Sequence, residues 1–218
     1  QPKEARDFRA KIFAQLQPDF TTPKHIIDAG VAALQAGHTH YSPSAGAWDL
    51  RVSVAKHVSR KRGVQVPPEQ VVVTPGGKPV MFLAMLACVE EGDEVIYPDP
   101  GYPIYGSMAR FSGATPVPLP LLEENEFAFD VKTLESLITP RTKMIVINTP
   151  QNPTGGVLGP VELESLAKLA VKHNLLVMTD EIYDEIVYDK GQYCSVLAYP
   201  GMLERTILLG GHSKNYAM

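Results

Sequence analysis

The sequence predicts an α/β fold, a three-layer α/β/α arrangement around a mostly parallel sheet, and three observations carry that expectation. From about residue 70 onward, short aliphatic or β-branched runs alternate with segments of helical period. The runs are apolar at consecutive positions rather than alternate ones, as strands buried on both faces require. The stretches between them are long enough for the crossover helices that parallel strands need.

Taken in order, Pro18-Asp19-Phe20-Thr21-Thr22-Pro23 reads as an extended turn, because proline biases its predecessor away from helical dihedrals. A helix is expected from about Lys24 to Gln35. Residues 1–36 are therefore read as an N-terminal arm with a lead-in helix, and residues 37–218 as one large domain. Strands are expected at Val71–Thr74, Glu94–Pro98, Thr115–Leu121, Met144–Asn148, Leu175–Thr179 and Thr206–Gly210. Helices are expected at Pro79–Val89, Leu134–Ile138 and Val161–His173, where apolar residues recur at spacings of three and four. Pro160 falls where a first helical turn tolerates a residue without an N–H.

With 218 residues, 44% of them hydrophobic and 20% charged, the chain can bury one substantial core. Against 24 acidic residues stand 20 basic ones, a net charge of −4, which disfavours nucleic acid or an anionic membrane as the main partner and favours a small polar metabolite. Cys88 and Cys194 have no CxxC spacing and no histidine pairing, so neither a metal site nor a disulfide framework is expected. The stretch Gln1 to Arg9 is polar and charged, and no apolar run reaches bilayer length, so a cytoplasmic protein is expected.

Ligands of open parallel sheets bind outside the carboxyl ends of the strands, so the residues just after each apolar run are informative. Thr74-Pro75-Gly76-Gly77-Lys78 comes after the first, Pro98-Asp99-Pro100-Gly101-Tyr102 after the second, and Asn148-Thr149-Pro150-Gln151-Asn152-Pro153-Thr154-Gly155 after the fourth. Thr179-Asp180-Glu181-Ile182-Tyr183 and Gly210-Gly211-His212-Ser213-Lys214 come after the last two. Gly76-Gly77 at a helix start lets backbone N–H groups close on an anion such as phosphate. Asp180, ending an apolar run, should be partly buried and in need of a donor or a cation. Taken singly, each is ordinary: a strand-to-helix turn, a cap, a turn amide at Asn152, a solvated lysine. Neither the nucleotide P-loop nor the dinucleotide glycine spacing is met.

The joint order GGK, PGY, NPTG, DEIY, SK resembles the fold-type I pyridoxal-phosphate enzymes, in particular the class I/II aminotransferases of the bacterial aspartate type. Pro18-Asp19-Phe20 with Thr22-Pro23, and Tyr41-Ser42-Pro43-Ser44-Ala45-Gly46, extend the likeness toward the N-terminus. The resemblance implies a cofactor-binding large domain and a pyridoxal 5'-phosphate enzyme that moves an amino group between an amino acid and a 2-oxo acid. It assigns Lys214 to the cofactor aldehyde and to proton transfer, Asp180 to the pyridine nitrogen, and Asn152 with Tyr183 to the phenolic oxygen. It further assigns Tyr102 to the ring face, the backbone of Gly76, Gly77 and Lys78 with Ser213 to the phosphate, and Tyr41 to the phosphate of a neighbouring subunit, which makes a homodimer.

The likeness has departures. Gly211 stands three before the lysine where the family often has serine, so either Ser213 or His212 takes over that contact or the contact is absent. Leu16 stands where a glycine usually precedes the Pro-Asp-Phe motif. The family continues past a segment such as Tyr216-Ala217-Met218 into a threonine-glycine-tryptophan-arginine motif and a small domain bearing the arginine for the substrate carboxylate. This chain is accordingly expected to be a fragment inactive alone. A carbon–sulfur β-lyase on the same scaffold and a non-catalytic regulator domain stay open as alternatives.

Overall fold

The structure, a computed structural model, describes residues 18, 20–188 and 193–218. The arm as far as residue 17, with Leu16, and Asp19 of the Pro-Asp-Phe motif lie outside the described residues. The described residues divide into two compact units: Pro43–Gly210, and a smaller unit formed by residues up to Ser42 together with Gly211–Met218.

The larger unit is built on five parallel strands: β1 (Glu94–Asp99), β2 (Thr115–Pro120), β3 (Thr142–Asn148), β4 (Leu176–Asp180) and β5 (Thr206–Leu209), in the spatial order β2-β1-β3-β4-β5. Successive side chains of a strand point to opposite faces, and here each face has its own core. Val95, Met144, Val146 and Met178 join one cluster, and Ile96, Ile145, Ile147 and Val177 the other. Consecutive apolar residues in these strands are the direct result of that double burial.

The first cluster is closed by helices of Gly77–Cys88, through Met81 and Met85, and of Ile104–Phe111, through Tyr105 and Ala109. The second is closed by helices of Val131–Leu137, through Leu134, and of Pro160–Lys172, through Leu163, Leu166 and Ala170. A further helix, Trp48–Arg62, precedes them all in this unit. Numbered in chain order, with α1 the helix Lys24–Gln35 of the smaller unit, these are α2 (Trp48–Arg62), α3 (Gly77–Cys88), α4 (Ile104–Phe111), α5 (Val131–Leu137) and α6 (Pro160–Lys172). Three layers result, as expected.

Local chemistry explains the boundaries. In α6, Pro160 takes the first helical position and Glu162 Oε2 accepts from the Gly159 N–H at 3.0 Å. Its buried Leu163, Leu166 and Ala170 repeat at helical spacing, and each leucine contributes about 1.5–3 kcal/mol of apolar burial. Asp130 starts α5 by accepting the Thr133 N–H at 2.8 Å. Gly63, in the left-handed region at φ 68°, ends α2.

Two expectations need correction. Val71–Thr74 forms no strand. The Val71 N–H bonds the Pro68 carbonyl at 3.1 Å, the Val71 carbonyl accepts from Arg51 Nε at 2.8 Å, and the Val73 N–H goes to Ala45 at 3.0 Å, so the backbone groups a ladder would use are spent locally. Helices α2 and α4 went unannounced: α2 buries only Ala55 and Arg62, too few for an apolar stripe, and α4 is eight residues long. The short helical turn His212–Asn215 was likewise not expected; the other strands and helices lie within about three residues of their expected limits, the usual fraying of element ends.

In the smaller unit, α1 has no buried residue and carries a Lys24–Asp28 pair one turn apart at 2.7 Å. Thr22 Oγ1 donates to the Ala217 carbonyl at 2.6 Å, and a four-residue turn of helix, α7, spans His212–Asn215. Among the described residues no helix is long and apolar enough to cross a membrane.

Candidate functional site

Strand β1 is the point where the sheet's connections reverse direction: the chain goes from β1 to β2 on one side and then back across to β3 on the other. Such a switch leaves a crevice outside the carboxyl ends, with the flanking helices on opposite faces. The polar residues gather at these ends. Asn148 and Asp180, the last residues of β3 and β4, are in register, and Asp180 is in register with Leu209.

Asp180 is the centre of the group. It is 3% exposed, its Oδ2 accepts from the Tyr105 hydroxyl at 2.7 Å, and its Oδ1 accepts from the Ile182 N–H at 3.2 Å. Burial pushes the carboxyl above its ordinary range, and the hydrogen bonds from Tyr105 and Ile182 only partly offset this. A buried acid in this condition favours a proton or a cation beside it.

Asn148 organises the loop beyond β3. Its amide nitrogen donates to the carbonyls of Asp180 (2.9 Å) and Pro150 (3.1 Å), and its oxygen accepts the Asn152 N–H at 2.8 Å. Gln151 adds a bond from its side-chain nitrogen to the Pro100 carbonyl at 2.8 Å, joining this loop to the one after β1. Held this way, Asn152 Nδ2 comes within 3.4 Å of the Tyr183 hydroxyl, a long contact that leaves both groups half-buried. Burial, and then the nearby Asp180, raise the pKa of the Tyr183 phenol.

After β1 the chain turns through Gly101, where an added Cβ would lie 2.2 Å from the Pro98 carbonyl oxygen. That turn delivers Tyr102, half-buried, whose ring meets the Tyr105 ring edge-on at 6.0 Å and 84°. Gly76 precedes α3 with φ 93° and ψ 175°, a conformation open to glycine, and among the described residues no side chain caps the helix start, where the first N–H groups have no partner within the helix. Gly77 packs against Leu209, to which an added Cβ would approach within 3.3 Å.

Of the residues expected to act together, Gly76, Gly77, Lys78, Tyr102, Asn152, Asp180 and Tyr183 belong to the larger unit. Asn152 meets Tyr183, and Tyr102 is linked to Asp180 through Tyr105. Tyr41, Ser213 and Lys214 belong to the smaller unit: Tyr41 is fully exposed, Ser213 is exposed, and Lys214 is half-buried in the α7 turn. Sequence reasoning missed Tyr105 and Asn148. Tyr105 was signalled by being an aromatic three residues after Tyr102, and Asn148 by being the polar residue that closes an apolar run. It also missed Arg62, whose guanidinium bonds Glu181 and Asp184 from 119 and 122 residues away, a pairing no local pattern announces. Among the described residues no cluster of His, Cys, Asp and Glu could hold a metal ion.

Known proteins resemble this chain in sequence and in fold. The aromatic-amino-acid aminotransferase 2 of Thermococcus litoralis is 39% identical over 203 residues, which is 93% of this chain and 52% of that protein. A probable aspartate/prephenate aminotransferase of Thermus aquaticus is 41% identical over 204 residues, again 93% and 52%. The crystal structure of an aromatic aminotransferase from Pyrococcus horikoshii superposes with a TM-score of 0.90 at 36% identity, covering 93% of this chain and 54% of that one. The chain thus spans about half the length of the curated relatives it matches. The family model for aminotransferase class I and II matches residues 12–218, and the chain belongs to that family.

Proposed function

We propose that this chain carries the cofactor-binding part of a pyridoxal-phosphate-dependent aminotransferase that moves an amino group between an amino acid and a 2-oxo acid in the cytoplasm. Residues 1–36 serve as arm and lead-in helix and residues 37–218 as the cofactor-binding domain. The observation that carries the reading is the buried Asp180 carboxyl at the carboxyl end of β4, beside the Asn152–Tyr183 pair. The relatives' names, aromatic-amino-acid and aspartate/prephenate aminotransferase, support the substrate class.

The residues fit the cofactor. A buried acid raised above its ordinary range suits a ring cation, and an uncapped glycine-led helix start suits a phosphate. Bound pyridoxal phosphate supplies a protonated ring that withdraws electrons from the substrate α-carbon. In this chain Asp180 keeps the proton on the ring nitrogen, while Asn152 and Tyr183 donate to the phenolic oxygen. Tyr102 would cover one face of the cofactor ring and keep water from it. The N–H groups of Gly76, Gly77 and Lys78, with the Ser213 hydroxyl, hold the phosphate. Lys214 is the residue that would hold the cofactor through its aldehyde and, when free of it, would carry a proton to and from the substrate α-carbon. Tyr41 reaches the phosphate of the second subunit of a homodimer.

The test is chemical. Borohydride treatment of the protein with pyridoxal phosphate, followed by peptide mass mapping, is expected to leave the reduced cofactor on Lys214, and Lys214→Ala to carry none. Cofactor mass on another lysine of the native protein, or undiminished labelling of the variant, would reject the assignment.

A further inference from the structure

We infer that Tyr105 is a positioning residue for the proposed cofactor site: its hydroxyl fixes the carboxylate of Asp180 while its ring braces Tyr102, so one buried side chain orients both the partner of the ring nitrogen and the ring that covers its face. The inference rests on the aminotransferase reading of that site and adds a residue to it.

Tyr105 has no exposed surface and lies in the core between α3, α4 and the sheet, against such residues as Met85 and Met144. In an interior packed to crystal-like density its ring has little room to turn. The hydroxyl donates to Asp180 Oδ2 at 2.7 Å, the short length of a hydrogen bond to a charged or strongly polar oxygen. With the Ile182 N–H on Oδ1, each carboxyl oxygen has one donor from a fixed position, and rotation of the group would break both bonds.

On its other side, Tyr105 is tied to Tyr102. The two are three residues apart, the Tyr105 N–H bonds the Tyr102 carbonyl at 3.2 Å, and the rings meet edge to face. A hydroxyl serving only the core would not need an acid: apolar residues of similar volume fill such space at lower free-energy cost than a buried polar pair. Burial raises the pKa of both partners, so their placement is a cost that ordinary packing would avoid.

The experiment is a double-mutant cycle on cofactor binding, with the protein at its natural length. Pyridoxal phosphate is titrated into wild type, Tyr105→Phe, Asp180→Asn and the double variant, and the Tm of each cofactor-free protein is recorded. Tyr105→Phe keeps the ring and removes one oxygen, and it is expected to bind roughly tenfold more weakly, the loss of one hydrogen bond to a charged group. In the Asp180→Asn background the same change is expected to weaken binding much less, because its target has already lost its charge. Equal losses in both backgrounds would reduce Tyr105 to a structural residue and overturn the inference alone. Full-strength binding by Asp180→Asn would overturn the functional reading and the inference together. Tyr105→His, which retains a ring donor, covers the case in which Tyr105→Phe does not fold: binding closer to wild type than to Asp180→Asn is expected, and binding no better than Asp180→Asn overturns the inference.

Discussion

Arg62→Met is expected to destabilise the protein by about 3–5 kcal/mol, the range for removing one partner from a buried ion pair. Arg62 is the last residue of α2, and its side chain is 3% exposed. Its Nε donates to Glu181 Oε2 at 2.9 Å, and its Nη2 lies 2.8 Å from both Glu181 Oε2 and Asp184 Oδ2. The other Glu181 oxygen accepts from Thr179 at 3.0 Å and Ser195 at 2.7 Å, so the carboxylate is fully enclosed. Methionine fills much of the arginine volume but leaves that charge without its cation. Lys61, 2.9 Å from Asp184, keeps the second acid paired.

For a chain of this length a loss of 3–5 kcal/mol corresponds to a Tm fall of roughly 6–20 °C. Urea and thermal unfolding of the cofactor-free protein, followed by far-UV circular dichroism, measures it without ligand linkage. Arg62→Met with Glu181→Gln should recover more than half of the loss, since the stranded charge is then gone. A cost below about 1 kcal/mol for Arg62→Met, the range of exposed pairs, would show that solvent screens this network and would refute the reasoning.

Asp180→Asn is expected to stabilise the cofactor-free protein at neutral pH. Burial raises the folded-state pKa of Asp180, so the native carboxyl retains a proton that the unfolded chain releases above about pH 3.9, and stability is lost as pH rises through that window to the folded value. The advantage of the variant should therefore grow with pH across the window in urea titrations, and a variant less stable than wild type at neutral pH contradicts the assignment. Gly101→Ala is expected to cost about 1–3 kcal/mol, because its Cβ would sit 2.2 Å from a backbone oxygen that cannot yield without moving the turn before Tyr102. Unchanged stability in the same titration would show that the turn can open freely.

Much of this architecture can be read from local pattern. Consecutive apolar residues such as Met144–Ile147 announce strands buried on both faces, and the two cores divide them by parity. Val71–Thr74 shows the limit of that pattern. It carries the same composition, but Arg51 and the turn at Pro68–Gln70 take its hydrogen bonds, and those partners are distant or aperiodic in sequence. The candidate site divides in the same way. Glycine at Gly76, the acid at Asp180 and the amide at Asn152 stand out as polar or conformationally permissive residues at the ends of apolar runs.

What the amino-acid order determined by itself is the alternation of buried strands and covering helices, the family likeness, and the ordered set of side chains that ends each run. These come from short-range rules of periodicity, capping and turn chemistry. The tertiary structure alone decided that Tyr105 reaches Asp180 across 75 residues and that Arg62 neutralises Glu181 across 119. Hydrogen bonds and ion pairs act over a few ångströms of space whatever the separation along the chain, so their partners are chosen by the packing that brings strand ends and helices together.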